Sequence, residues 1–147
     1  MAKKKKKMNF AKKKDDEKND FAEKIKKIVE GLYFMSETEA EIQNFTGEKA
    51  EQVSKEEILS QTKNAPDAPV EEKDFAELFE RLTKIQDWFE DEEKQAAAKF
   101  SELGDLLRKN LKNLKVFKIG EIELDVYIVG LDAEGRLAGI KTKAVET

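Results

Sequence analysis

The sequence predicts an α+β fold, and two observations lead to that prediction. Apolar residues recur mainly at helical spacing up to about residue 114, and from residue 122 they alternate with polar residues. A period near 3.6 indicates helix, whereas a period near 2 indicates strand. The strands of the last third follow one another closely, so they are expected to form an antiparallel meander that the helices cover.

The first 18 residues predict a disordered tail ahead of a single domain. Residues 1–14 contain eight lysines and no acidic residue, and the tail has almost no apolar content. Blocks of like charge without apolar residues are typical of disorder. The domain is predicted to span residues 19–147, a length that can bury a core without disulfides or a structural metal.

The first helix is predicted to begin after Asn19 or Asp20, either of which can cap its amino end, and to end near Gly31. Its apolar stripe consists of Phe21, Ile25, Ile28, Val29 and Leu32. After this helix, a polar loop over residues 36–41 is expected to lead into a short strand around residues 41–45.

Two short helices are predicted in the middle of the chain. Ser54 and Glu57 have the spacing of a capping box, which predicts a short helix near Gln61. Two prolines predict a loop over residues 64–69, because each disfavours helical geometry in the residue before it. A brief helix then carries the apolar residues Phe75, Leu78, Phe79 and Leu82.

A long helix is predicted from the distribution of its charges and its apolar residues. Acidic residues crowd its amino end at positions 90–93, and its carboxyl end carries Arg108, Lys109 and Lys112. Both groups oppose the helix macrodipole, and this arrangement stabilises a helix. The apolar stripe consists of Ala96, Phe100, Leu103, Leu107, Leu111 and Leu114.

Three strands are predicted to close the chain. In the central strand the apolar Ile122, Leu124, Val126 and Ile128 alternate with Glu123, Asp125 and Tyr127. Its neighbours cover residues 116–119 and 137–145. Gly120 and Glu121 form one predicted turn, and residues 132–135 form a hairpin loop.

The composition excludes several kinds of catalytic and metal site. The chain has no cysteine and no histidine, so thiolate nucleophiles, imidazole bases, disulfides and Cys or His metal sites are excluded. It also lacks a phosphate-binding glycine loop, a GxSxG motif and a calcium-loop spacing. An enzyme built on a carboxylate pair stays open as an alternative. Because a helix end explains the acidic residues at 90–93, we predict no enzyme and no cofactor of its own.

The start of the chain leads us to expect a cytoplasmic protein. Its lysines resemble the charged start of a signal peptide, but no apolar run of about 7–15 residues follows. No stretch is long enough to span a membrane. The lack of cysteine fits a reducing compartment.

The charge is unevenly distributed along the chain. The whole chain carries a formal charge of −4, and the eight lysines of residues 1–14 leave −12 on the other 133 residues. A strongly acidic domain repels nucleic acid and attracts a basic partner. Solubility alone is the alternative explanation.

Three features are candidates for a binding site. Trp88 is the only tryptophan, and tryptophan occurs both as a core anchor and as an interface hot spot. Glu37 and Glu39 flank Thr38 in the polar loop, where they either face water or bind a partner. Thr147 directly follows a predicted strand, which would hold its hydroxyl and carboxylate in place.

Four blocks of the sequence carry a resemblance to a known family. They are GLYFMSETE (31–39), QDWFEDEEKQAAAKF (86–100), NLKNLKVFKIGEIELDVYIVG (110–130) and GRLAGIKTKAVET (135–147). Together they resemble the nuclease A inhibitor family, whose members block a sugar-nonspecific, metal-dependent endonuclease. The resemblance implies an α/β/α three-layer sandwich similar to the pathogenesis-related protein 1 fold. It also implies a one-to-one complex with such a nuclease.

The resemblance also implies which residues contact the nuclease. Glu37 would point toward an active-site arginine and Thr147 toward the catalytic metal. Gln86 and Trp88, in the matching QDW block, would be further contacts, and the polar loop adds Glu39 as a candidate. Arginine binds carboxylate in the fork geometry that it uses for phosphate, and Mg²⁺ takes hard oxygen ligands such as hydroxyl and carboxylate. The metal would be that of the nuclease.

A second hypothesis assigns the binding to the tail. In it, the chain is an adaptor that binds nucleic acid or anionic membrane through residues 1–18 and another partner through its acidic domain. The tail is otherwise a solvated leader with no specific role. Deleting residues 1–18 discriminates between the hypotheses, because only the adaptor would lose binding.

Overall fold

The computed structural model describes residues 21–146, which contain four helices and seven strands. Helix α1 covers residues 21–29, and the other helices are α2 (Lys55–Gln61), α3 (Phe75–Thr83) and α4 (Asp91–Asn110). The strands are β1 (Tyr33–Met35), β2 (Glu39–Glu41), β3 (Gln43–Lys49), β4 (Val70–Lys73), β5 (Lys112–Ile119), β6 (Glu123–Leu131) and β7 (Arg136–Val145). The predicted tail, the candidate caps Asn19 and Asp20, and Thr147 lie outside the described residues.

The α+β prediction is confirmed. Strands β3 to β7 form one antiparallel sheet in the order β3-β7-β6-β5-β4, and β1 and β2 form a separate two-stranded hairpin. The predicted meander is the centre of the sheet, since Ile128 on β6 lies between Val116 on β5 and Ile140 on β7. The outer strands are β3, which pairs with β7, and β4, which pairs with β5.

The sheet carries an apolar core on each face. Val126 and Val129 lie three positions apart on β6, so they face opposite sides of the sheet. Val126 packs in the core that includes α1, α3 and α4. Val129 packs with Phe117 and with Ile58 and Leu59 of α2. The central strands are therefore buried on both faces, which fixes their register.

Helices α3 and α4 pack antiparallel, which positions the loop between them. The Arg108 guanidinium near the end of α4 lies 5.2 Å from the ring centroid of Phe75, at the start of α3. One turn further along α3, Phe79 packs edge-on against Phe100. The α3–α4 loop therefore lies at the amino end of α4. Only Leu111 separates α4 from β5, and residues of both elements pack in the core that also contains α1 and α3.

Several local predictions about the helices are confirmed. The Ser54 hydroxyl accepts a hydrogen bond from the Glu57 N–H at 3.2 Å and caps α2. Gly31 follows α1 with a φ of +73°, a left-handed conformation that glycine adopts without strain. At the start of α4, the Glu93 carboxylate accepts a hydrogen bond from the Glu90 N–H at 2.9 Å.

None of the helices within residues 21–146 combines the length and apolar character that crossing a bilayer requires.

Several predicted element boundaries are wrong. Ile122 was expected in the central strand, but β6 begins at Glu123, so Ile122 belongs to the turn before it. Helix α4 ends at Asn110, so Lys112 and Leu114 belong to β5 instead of to the helix. The segment predicted as a loop over residues 36–41 contains β2, and the strand expected around residues 41–45 is β3, which starts later and runs further. Strand β4 was not predicted, because its sequence VEEK offers a single apolar residue.

Candidate functional site

The β1–β2 hairpin presents Glu37 at its tip. Met35 pairs with Glu39 in the hairpin register, which leaves a turn of three residues between the strands. Within that turn the Ser36 N–H donates to the Thr38 carbonyl at 3.0 Å. Glu37, Thr38 and Glu39 are all exposed. The hairpin thus places two of the predicted contact residues close together, Glu37 on a short, internally bonded turn and Glu39 directly after it at the start of β2.

The hairpin tip is bonded to the end of β7. The Glu37 N–H donates to the Val145 carbonyl at 3.3 Å, and the Val145 N–H donates to the Ser36 hydroxyl at 2.9 Å. A further bond joins the two elements, from the Thr142 hydroxyl to the Glu41 carbonyl at 2.7 Å. These bonds connect the Glu37 backbone directly to a residue two positions before Thr147.

The other side of this terminal segment is bonded to the β5–β6 turn. The Glu146 N–H donates to the Ile122 carbonyl at 3.0 Å. The Glu146 carboxylate forms an ion pair of 2.5 Å with the Lys118 ammonium, whose side chain is only 10% exposed. Residues 145 and 146 are therefore held by the hairpin tip, by the turn and by a nearly buried lysine. Thr147 itself lies outside the described residues.

Charges around Lys118 extend this network to β4. Glu71 lies opposite Lys118 in the β4–β5 ladder. A hydrogen bond from Lys73 holds the pKa of the Glu71 carboxyl below its ordinary value, and the charge of Lys118 adds to that effect. The same hydrogen bond raises the pKa of Lys73, and the charge of Glu146 contributes in the same direction. Positive and negative groups thus interact across the sheet from β4 to the end of β7.

The α3–α4 loop carries Gln86 and Trp88. The Phe89 N–H donates to the Gln86 carbonyl at 3.1 Å and closes a turn. Trp88 is 72% exposed and contacts the Phe89 ring edge-on, with 4.7 Å between ring centroids. The interpretation of Trp88 as a core anchor is therefore wrong, because the turn directs its ring outward. Gln86 is partly buried.

One end of the sheet therefore gathers two of the predicted contact residues, Glu37 and Glu39, beside the segment that leads to Thr147. We call this surface the acidic end and define it as the hairpin turn with the first residue of β2 (36–39), the β5–β6 turn with the first residue of β6 (120–123), and residues 145–146. It carries the exposed carboxylates of Glu37, Glu39, Glu121, Glu123 and Glu146. Carboxylates of this kind can bind guanidinium groups or a hard cation.

Sequence reasoning missed three residues of this arrangement: Ser36, Lys118 and Ile122. Ser36 and Ile122 act through a hydroxyl and a backbone carbonyl, and neither role has a sequence signature. Lys118 offered a signal, since it stands between the apolar residues Phe117 and Ile119 within a predicted strand. A lysine in such a place is nearly always paired when buried.

Comparison with known proteins gives one family. The family described as "NuiA: Nuclease A inhibitor-like protein" matches residues 19–147, which is the whole chain except the lysine-rich tail. No individually curated protein matches the chain.

Proposed function

Because the chain belongs to the nuclease A inhibitor-like family, we propose that it is a proteinaceous inhibitor that plugs the active site of a nonspecific DNA/RNA endonuclease in a one-to-one complex. One observation carries the proposal. The Glu37 turn is hydrogen-bonded to Val145, so the loop carboxylate and the segment leading to Thr147 belong to one rigid unit. A rigid unit loses little conformational entropy on entering a cleft.

In this proposal the Glu37 carboxylate binds an arginine that otherwise holds a phosphate of the nucleic acid. Arginine forms the same paired hydrogen bonds with carboxylate and with phosphate. The turn that carries Glu37 is exposed and short, so its carboxylate can reach into a cleft. Glu39 stands beside it at the start of β2 and adds negative charge.

Thr147, the last residue of this sequence, is proposed to reach the catalytic metal of the nuclease. Its hydroxyl and carboxylate are hard oxygen donors of the kind that Mg²⁺ prefers. The bonds of Val145 and Glu146 support this role, because they restrain the two residues before it. The inhibitor needs no cofactor and no catalytic activity of its own for this mechanism.

The rest of the proposed contact surface is Gln86 and Trp88. An exposed tryptophan side chain is a frequent hot spot of protein interfaces. The acidic charge of the domain would accelerate association with a basic, nucleic-acid-binding cleft and disfavour direct binding of nucleic acid.

The resemblance also supports a proposal about the fold, and the composition of the chain supports one about its location. We assign the domain to the α/β/α three-layer sandwich that resembles the pathogenesis-related protein 1 fold, in keeping with the apolar cores on both faces of its sheet. The proposed site of action is the cytoplasm.

The test is a titration of the purified chain into a Mg²⁺-dependent nonspecific endonuclease. The degradation of plasmid DNA is measured at each ratio of chain to nuclease. We expect cleavage to stop near one equivalent. Glu37→Ala and a chain extended by one glycine after Thr147 should each weaken inhibition by about tenfold or more, since an unpaired buried charge costs about 2–5 kcal/mol. Glu56→Ala, an exposed change on α2, is the matched control. Full inhibition by both site variants would contradict the mechanism.

A further inference from the structure

Two exposed apolar side chains lie on either side of the end of β7. Met35 is 61% exposed and immediately precedes Ser36, whose hydroxyl binds the Val145 N–H. Ile122 is 55% exposed, and its carbonyl binds the Glu146 N–H. The backbone of the last two described residues thus lies between the residues that carry these two side chains.

Folding alone does not require apolar residues at these positions. In β1, Phe34 supplies the buried contact at 3% exposure, and alternation directs Met35 outward. Ile122 lies in the β5–β6 turn before β6 begins, and Leu124 is the first residue of that strand to be buried. Single exposed apolar residues are ordinary, but these two flank the same terminal segment, Met35 directly before the hairpin tip and Ile122 in the β5–β6 turn.

We propose that Met35 and Ile122 are apolar contacts of the inhibitor with the walls of the nuclease cleft, an inference that rests on the proposed function. The occupant of this surface is the nuclease itself, a protein surface that combines cationic groups with apolar walls. Charge complementarity selects it, because the exposed carboxylates of Glu121, Glu123 and Glu37 repel nucleic acid and anionic lipid.

Each side chain would have a defined effect on binding. Apolar contacts around a charged group exclude water from it and so strengthen its hydrogen bonds in the complex. Met35 lies two positions before Glu37, and the Ile122 carbonyl accepts a hydrogen bond from the Glu146 N–H. The apolar pair would therefore slow dissociation, whereas the surrounding charges would accelerate association.

The experiment compares Met35→Gln and Ile122→Thr with the unmodified chain, using the same Mg²⁺-dependent nonspecific endonuclease as probe. Met35→Gln keeps the approximate length of the side chain, Ile122→Thr keeps its β-branching, and neither changes the net charge. We expect each variant to dissociate about tenfold faster, with the association rate and its salt dependence unchanged. Ala133→Ser, an exposed change in the β6–β7 turn at the opposite end of the sheet, should match the unmodified chain.

Three results would overturn the inference. If the unmodified chain does not bind the nuclease, the proposed function fails and this inference fails with it. If it binds and both variants dissociate at the unmodified rate, this inference alone fails. If the unmodified chain dimerises in sedimentation experiments and the variants do not, the pair contacts a second copy instead. Equal thermal unfolding of all four proteins would assign any kinetic difference to the interface.

Discussion

At the scale of single residues, Trp88 offers a direct test of the proposed contact surface. It is the only tryptophan and is 72% exposed in the chain alone. In a chain labelled with fluorotryptophan, we expect a single fluorine resonance that shifts when nuclease is added and stops shifting near one equivalent. Trp88→Phe, which lacks the resonance, verifies the assignment. A resonance that stays in place while DNA cleavage is blocked would exclude Trp88 from the contact surface.

The pair of Lys118 and Glu146 is asymmetric, and the asymmetry sets what each substitution does. The Lys118 side chain is 10% exposed, whereas the Glu146 side chain is 45% exposed. Removing the glutamate leaves a nearly buried ammonium with a weaker partner. Removing the lysine leaves a carboxylate that water can still reach. A buried charge left without its partner costs more than the pair itself contributes.

We therefore expect Glu146→Gln to lower the free energy of unfolding by about 1–3 kcal/mol, and Lys118→Met to lower it by less than about 1 kcal/mol. Both changes free the segment before Thr147, so both should weaken inhibition and speed hydrogen exchange at the Glu146 amide. Lys118→Arg keeps the charge and should restore inhibition. Urea unfolding and hydrogen exchange measure these effects. Equal losses of stability from the two substitutions would contradict the asymmetry.

At the scale of elements, β7 depends on a glycine in its middle. Gly139 has a φ of +154°, and a Cβ added there would collide with the backbone carbonyl of Ile128 on β6. We expect Gly139→Ala to lower the free energy of unfolding by about 3 kcal/mol, because backbone cannot move aside as a side chain can. Denaturant unfolding measures the loss.

Gly31→Ala is the matched control for this prediction. Gly31 also has a positive φ, +73°, but a Cβ added there would meet no atom within 4 Å. Its substitution should cost only the left-handed penalty of about 1–2 kcal/mol. A Gly139→Ala variant that is as stable as Gly31→Ala would mean that β6 and β7 separate easily.

The elements with a long, regular pattern were the ones that the sequence could predict. Strand β6 and helix α4 each repeat one period over many residues, and local chemistry at Ser54 marked the start of α2. The β1–β2 hairpin has strands of three residues, too short to establish a period. Leu114 continues the helical spacing of α4 although it lies in β5, so the predicted end of α4 was several residues too late.

The candidate site needed information that no local pattern holds. Ser36 and Val145 are 109 positions apart, and their hydrogen bond exists only because β3 pairs with β7 and carries the hairpin alongside. The resemblance pointed to Glu37 and Thr147, but it did not indicate that the turn with Glu37 would be hydrogen-bonded to the end of β7. The exposure of Trp88 depends on how α3 packs against α4. The sequence alone allowed Trp88 to lie either in the core or at an interface.

At the scale of the whole molecule, charge distinguishes the domain from its tail. Residues 1–18 carry nine lysines and three acidic residues, so their removal changes the formal charge from −4 to −10. The family match begins at residue 19. An inhibitor that approaches a basic cleft through its acidic domain has no use for this lysine-rich segment, whereas an adaptor that binds phosphates depends on it.

Deleting residues 1–18 therefore separates the two functions in one experiment. We expect the shortened chain to inhibit the nuclease to the same extent as the full chain and to associate at least as fast. Its association rate should fall more steeply as salt is added, because its greater negative charge steers it more strongly toward a basic cleft. Stopped-flow association and plasmid degradation measure this.

In parallel, binding of both chains to duplex DNA and to anionic vesicles tests the adaptor. If deletion abolishes inhibition, the tail is part of the interface. If deletion abolishes DNA or vesicle binding alone, the chain combines an inhibitory domain with a separate anchor, because the acidic domain repels the very phosphates that the lysines bind.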